Sequence, residues 1–180
     1  MRKAIEDLQN EHIAILSSLQ ILDTFTRRLD RGLDVQRRDI HDFIGFLKEF
    51  ADKCHHGKEE GILFPALIKA GIIEKGGPIG VMLSDHTKGR ELIKEMEAAV
   101  SGKEDHKRFM QAAKNYSSLL QAHIEKENTV LFPAAESALT ADQLDRIYEE
   151  FEQHELKVIG AGRHEELHAM LKRLKQKYPA

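Results

Sequence analysis

Two segments of the chain, HHGKEEGILFP from His55 and HIEKENTVLFP from His123, each carry a histidine followed four residues later by a glutamate. On a helix that spacing puts an imidazole and a carboxylate on one face, a turn apart. Two more histidines, His12 and His86, stand where the three-four apolar spacing of their own segments requires a core residue. If these side chains converge, four imidazoles and two carboxylates share a dry interior, which is costly unless they are paired or bind metal. A pair of cations resolves this, since carboxylates can bridge two cations and neutral imidazoles can fill terminal positions. Mixed nitrogen and oxygen ligation suits iron, manganese or zinc.

A second pair, His56 with Glu60, overlaps the first. Laying the two segments over each other by their shared Leu-Phe-Pro ends places His55, not His56, on His123, and Glu59 on Glu127. The helix face agrees: Ala51, Leu47, Ile44 and Ile40 lie behind His55, whereas Asp52, Glu49 and Gly45 lie behind His56. The expectation is that His55 and Glu59 face inward while His56 and Glu60 sit at the rim as secondary metal candidates.

The elements that must position these residues are helices. A first helix is expected over 2–30, with Ile5, Leu8, Ile15, Leu19 and Leu22 flanking His12. A second starts near Val35 and reaches Phe64-Pro65, where proline should kink or end it. Pro78 suits the first turn of a third, whose seam runs through Ile79, Met82, His86, Gly89, Ile93, Met96 and Val100. A fourth carries Phe109, Ala112, Tyr116, Leu119 and His123 to Pro133. Thr140-Ala-Asp-Gln143 has the form of a capping box opening a shorter helix. A last segment, 163–177, reads as a peripheral tail helix. Leu8-x-x-Glu11-His12 also matches Met82-x-x-Asp85-His86 weakly, so the chain looks like two helix pairs. The fold expected is all-α: an up-down antiparallel four-helix bundle over 1–138 with an additional C-terminal helical segment over 139–180.

Thirty acidic residues face 27 Lys and Arg, with no basic stripe, so nucleic acid is not an expected partner. No apolar run is long enough for a membrane span, and charged Arg2, Lys3, Glu6 and Asp7 leave no signal core. The single cysteine, Cys54, excludes an internal disulfide and reads as a small buried residue. These features point to a cytoplasmic protein.

Any one motif has a plain alternative. A seam histidine is often just a hydrogen-bonded core residue, and a His-x-x-x-Glu is often a surface ion pair. The repetition of both features, once per helix pair, favours a metal site. Ferritin-like bundles use Glu-x-x-His; here the order is reversed, the spacing is four, and histidines outnumber carboxylates.

The order His, His-x-x-x-Glu, His, His-x-x-x-Glu over roughly residues 8–135 resembles the hemerythrin-like (HHE cation-binding) family. The resemblance implies an up-down four-helix bundle around a non-haem di-iron centre, with His12, His55, His86 and His123 as terminal ligands and Glu59 and Glu127 as bridges. It implies binding or sensing of dioxygen or another small ligand such as nitric oxide. A di-iron enzyme consuming peroxide or nitric oxide, or an iron storage protein, is the alternative. Oxygen-carrying hemerythrins bring two histidines from the third helix, whereas here Met82 and Arg90 lie one turn either side of His86. A more open or differently filled site is therefore expected, with His154, His164 and His168 of the tail as further candidates for a fifth histidine ligand. No feature names a protein partner.

Overall fold

The computed structural model describes residues 3–179. Met1 and Arg2, part of the charged stretch read against a signal core, lie outside the described residues. Among the described residues the chain is all-helical, with six helices and no strand. They are α1 (Lys3–Asp30), α2 (37–69), α3 (Pro78–Val100), α4 (106–138), α5 (Ala141–Val158) and α6 (Arg163–Lys177). None is long and apolar enough to cross a membrane.

Local chemistry sets the ends. Asp105 caps α4 by accepting from the Arg108 backbone N–H at 2.9 Å. Thr140 and Gln143 form the expected reciprocal capping box at the start of α5. The connector after α2 turns at Gly71, whose φ of 97° suits a residue without a Cβ.

Of the kink or ending expected at the prolines, the ending does not occur. Neither Pro65 nor Pro133 ends its helix, which continue to Lys69 and Ala138. The turn before each proline is wound as a π-helix, over Glu59–Leu63 and Glu127–Leu131. That wider turn relieves the clash an α-turn would impose between the ring and the preceding carbonyl. Leu47–His56 is π-wound as well.

Two apolar clusters form the interior. One holds Ala4, Ile5 and Leu8 of α1, Leu63 to Leu67 of α2, Ile79 and Met82 of α3, and Leu131 to Ala135 of α4. The other holds Ile15 to Leu29, Ile40 to Ala51, Leu92 to Val100 and Phe109 to Ile124. Each of α1 to α4 crosses from one cluster to the other, and the buried histidines and glutamates lie at the crossing. Helices α5 and α6 pack on α1 and α2. Leu144, Ile147 and Phe151 of α5 join the first cluster. Leu167, Leu171 and Leu174 of α6 are buried in the second, so α6 is more than a peripheral tail; Met170 is only partly buried. Asp39 anchors α6 by accepting from Arg173, Lys177 and the Tyr178 hydroxyl.

Candidate metal centre

The polar layer gathers all six residues singled out by the repeat, every one buried. His12, His55, Glu59 and Glu127 form one group, and His56, Glu59, His86 and His123 a second. Within each group the potential ligand atoms lie within 4.8 Å of one another. Both carboxylates straddle the groups. Glu59 lies 3.7 Å from His55 Nε2 and 3.3 Å from His86 Nε2. Glu127 lies 3.1 Å from His12 Nε2 and 3.3 Å from His123 Nε2.

His56 overturns an expectation. It is 3% exposed, belongs to the second group, and stacks on His86 with ring centroids 3.8 Å apart. The face argument that placed it at the rim assumed α-helical winding. The π-winding of Leu47–His56 turns the chain through a smaller angle per residue, so adjacent His55 and His56 both project inward. Glu60 joins neither group and is partly exposed. The tail histidines also stay out. His154 donates from Nε2 to the Lys53 carbonyl at 3.0 Å, and His164 and His168 pack around the Phe50 ring.

Each imidazole has its outer nitrogen turned to a side-chain oxygen. Nδ1 of His12 meets Asn128 at 3.1 Å, that of His55 meets Glu11 at 2.8 Å, and that of His86 meets Glu60 at 2.7 Å. Nδ1 of His56 and of His123 lie 3.5 Å from Asp52 and Asp85, at ion-pair rather than hydrogen-bond distance. Cations hold these acids: Lys58 on Glu11, Lys126 on Asp85, and Arg90 on both Asp52 and Glu60.

These supports follow the internal repeat. Shifting by 68 residues carries Glu59 to Glu127, Lys58 to Lys126 and Glu60 to Asn128. Shifting by 74 carries Glu11-His12 to Asp85-His86. Even the Leu-Phe-Pro ends match, since Phe64 stacks on His86 and Phe132 on His12. The sequence reading had the acid–histidine match in hand but assigned the acids no role. The reason is that each acid serves a histidine on the following helix, not its own neighbour.

The geometry agrees with the comparison to known proteins: residues 3–135 match the Hemerythrin HHE cation binding domain. The chain belongs to the hemerythrin HHE cation-binding family. It is also 27% identical to uncharacterized proteins of Mycobacterium bovis and of two strains of Mycobacterium tuberculosis, over 87% of this chain and 63% of theirs. The chain thus spans less than two thirds of the length of these relatives. No solved structure matches it significantly.

The residues of this hemerythrin-family chain fit a cation pair. Nε2 of His55 and of His56, both oxygens of Glu59 and Oε1 of Glu127 are buried without a hydrogen-bond partner. Such orphans are expensive unless something binds them. Burial drives His55, His56 and His123 toward the neutral form, the form that ligates metal. Burial opposes a charge on His86 too, but the neighbouring Glu59 and Glu60 carboxylates hold it at about 9. Burial, reinforced by Glu127, raises Glu59 well above the usual range. Glu127 resists burial through its hydrogen bond to His12 and the imidazoles around it, and falls to about 2. Two carboxylates in one dry space cannot both ionise without cations, and metal ions there would supply the missing positive charge.

A third cluster, Glu11, Cys54 and Glu155, is already filled by the Lys58 ammonium, which contacts both acids. Burial and then Glu11 push the Cys54 thiol up to about 12, so it is no thiolate ligand.

Proposed function

We propose that this chain holds two metal ions, most simply iron, and uses them to bind or sense dioxygen or another small ligand such as nitric oxide. The observation that carries this is the convergence of unpartnered Nε2 and carboxylate atoms, backed by an oxygen behind every Nδ1. Outer partners of that kind orient an imidazole and raise its basicity toward a metal. His12, His55, Glu59 and Glu127 would hold one ion, and His56, His86, His123 and Glu59 the other. The first position has two histidines against three. Iron would supply the reversible redox change that dioxygen or nitric oxide binding needs; zinc or manganese suit the same donors.

The alternating passage of α1 to α4 between the two apolar clusters supports an up-down antiparallel four-helix bundle over 1–138, with 139–180 as an extension. Binding is favoured over turnover because Glu11, Asp52, Glu60 and Asp85 are each committed to a histidine and a cation, as supports rather than proton shuttles. A di-iron enzyme consuming peroxide or nitric oxide, or an iron store, is the second reading. A lone, buried, protonated Cys54 suits the cytoplasm.

The test is metal analysis of protein from iron-replete cells, followed by stopped-flow mixing of the reduced protein with dioxygen, nitric oxide and peroxide. About two irons per chain and a reversible spectral change are expected. A protein free of metal would end this reading, and sustained consumption of peroxide or nitric oxide would replace it with the enzyme.

A further inference from the structure

Lys58 is the least expected residue near the centre. It is 0% exposed, although lysine is almost never fully buried without a partner. Its ammonium has three N–H donors, and the three carboxylates around it satisfy all of them. Asp7 and Glu11 lie at 2.9 Å and Glu155 at 3.2 Å. Asp7 and Glu11 belong to α1, but Glu155 belongs to α5, beyond the residues that match the family. The repeat partner of Lys58 is Lys126, which also grips the acid behind a histidine. Lys126 is 41% exposed and meets no residue of α5 or α6 in that grip.

Helix α5 reaches Lys58 by close approach. Phe151 lies under the ammonium, 5.6 Å from ring centroid to Nζ. One turn on, His154 crosses α2 at Gly57, where an added Cβ would stand 2.7 Å from its Nε2. The same histidine is tied to the Lys53 carbonyl. Glycine at 57 leaves the space that the His154 ring occupies as α5 crosses α2.

We infer that Glu155 is a positioning residue for the metal centre, acting through Lys58 and Glu11 on His55. The Glu11 carboxylate is shared: Oε1 accepts from Lys58 and Oε2 from His55 Nδ1. Glu155 fixes where the ammonium sits, the ammonium fixes Glu11, and Glu11 fixes the ring of His55. Without Glu155, one N–H of Lys58 loses its acceptor in a buried site, and the ammonium shifts toward Asp7 and Glu11. The effect falls on one metal position, because His86 and His123 take their support from Arg90 and Lys126 instead. Helix α5 thus makes the His12/His55 position depend on a part of the chain outside the matched family segment.

This inference rests on the metal reading, and the experiment separates the two. Purified full-length chain is loaded with Zn(II), and the histidine side-chain nitrogens are followed by NMR while a chelator removes the metal. Wild type, Glu155→Ala, Glu155→Asp and Lys126→Met are compared, with thermal unfolding of the metal-free forms. In Glu155→Ala, which removes the acceptor, the His55 Nδ1–H resonance should move while that of His123 stays. One zinc should leave about 10-fold or more faster, the scale set for lost outer partners of metal ligands. Glu155→Asp should restore part of this, and Lys126→Met should act on His123 instead. An unchanged His55 signal and unchanged release in Glu155→Ala would overturn the inference. So would equal loosening of both zincs with a lowered unfolding temperature, which would mean that α5 only packs. A wild-type chain that binds no zinc or iron would overturn the metal reading itself.

Discussion

The two halves of the centre are built on one plan and differ at a few residues. In both, a lysine grips an acid that backs a histidine: Lys58, Glu11 and His55 in one, Lys126, Asp85 and His123 in the other. In both, a phenylalanine from a Leu-Phe-Pro end stacks on the lone histidine of the partner helix. The halves part company where the repeat breaks. His56, Asp52 and Arg90 have Ile124, Leu120 and Leu16 as counterparts, and Glu60 has Asn128. The His86/His123 half therefore gains a third imidazole and a guanidinium that ties down two acids. The His12/His55 half has a neutral amide behind His12 and a buried lysine reached by α5. A repeated scaffold thus presents two unequal groups of potential ligands.

The most damaging change should be Glu59→Ala. Glu59 belongs to both groups, so elemental analysis should find metal lost from both positions. Retention of a full pair would show that Glu127 alone can join them. Next is His56→Ala, which reduces the richer half to the histidine count of the poorer one. Bound metal should fall from about two ions per chain toward one after extensive dialysis. If the variant holds both ions as tightly as wild type, His56 is a buried spectator. A smaller effect is expected of Asn128→Glu, which places a carboxylate behind His12 as Glu60 stands behind His86. It should tighten the weaker position by up to about 10-fold in chelator competition and narrow the gap between the halves. No change in either affinity would remove the amide as a source of the asymmetry.

The smallest effect on the centre, ideally none, should come from Asp39→Asn. Asp39 sits at the foot of α6 and contacts neither half. Burial acts to raise its pKa from 3.8, but hydrogen bonds from Lys177, Arg173 and Tyr178 prevail and hold it at about 2. A carboxyl depressed on folding stabilises fully above its unfolded value, and that stability disappears as pH falls through the folded one. Acid unfolding of the wild type between about pH 4 and pH 2 should therefore include a component that Asp39→Asn lacks. Metal content at neutral pH should be the same in both proteins. A loss of metal in Asp39→Asn would show that α6, and not α5 alone, supports the centre.

Much of this was open to a reader of the sequence. The three-four spacing around His12 and His86 marked both as buried, because a helix with one apolar stripe has few other places to put a side chain. The shared Leu-Phe-Pro ends set the register that brings Glu59 over Glu127. What spacing could not show was winding. His56 turns inward because α2 is π-wound there, and no residue type at 47–56 announces a wider turn. Pro65 and Pro133 do not end their helices for a related reason, since a π-turn precedes each of them. Glu11, Asp85, Asn128, Arg90 and Lys58 carry no signal in the sequence as supports, because each acts on a residue of a different helix.

Sequence by itself determined the helices, the capping box at Thr140 and the donor types at the centre. These follow from local rules: periodicity, backbone capping and the reach of residues four apart. Only the tertiary structure decided which imidazoles lie together, which oxygens stand behind them, and that Glu155 touches Lys58 across 97 residues of chain. Such contacts depend on helix rotation and on clearances of an ångström or two, as at Gly57, and those distances are fixed by the packing of whole helices rather than by any short stretch.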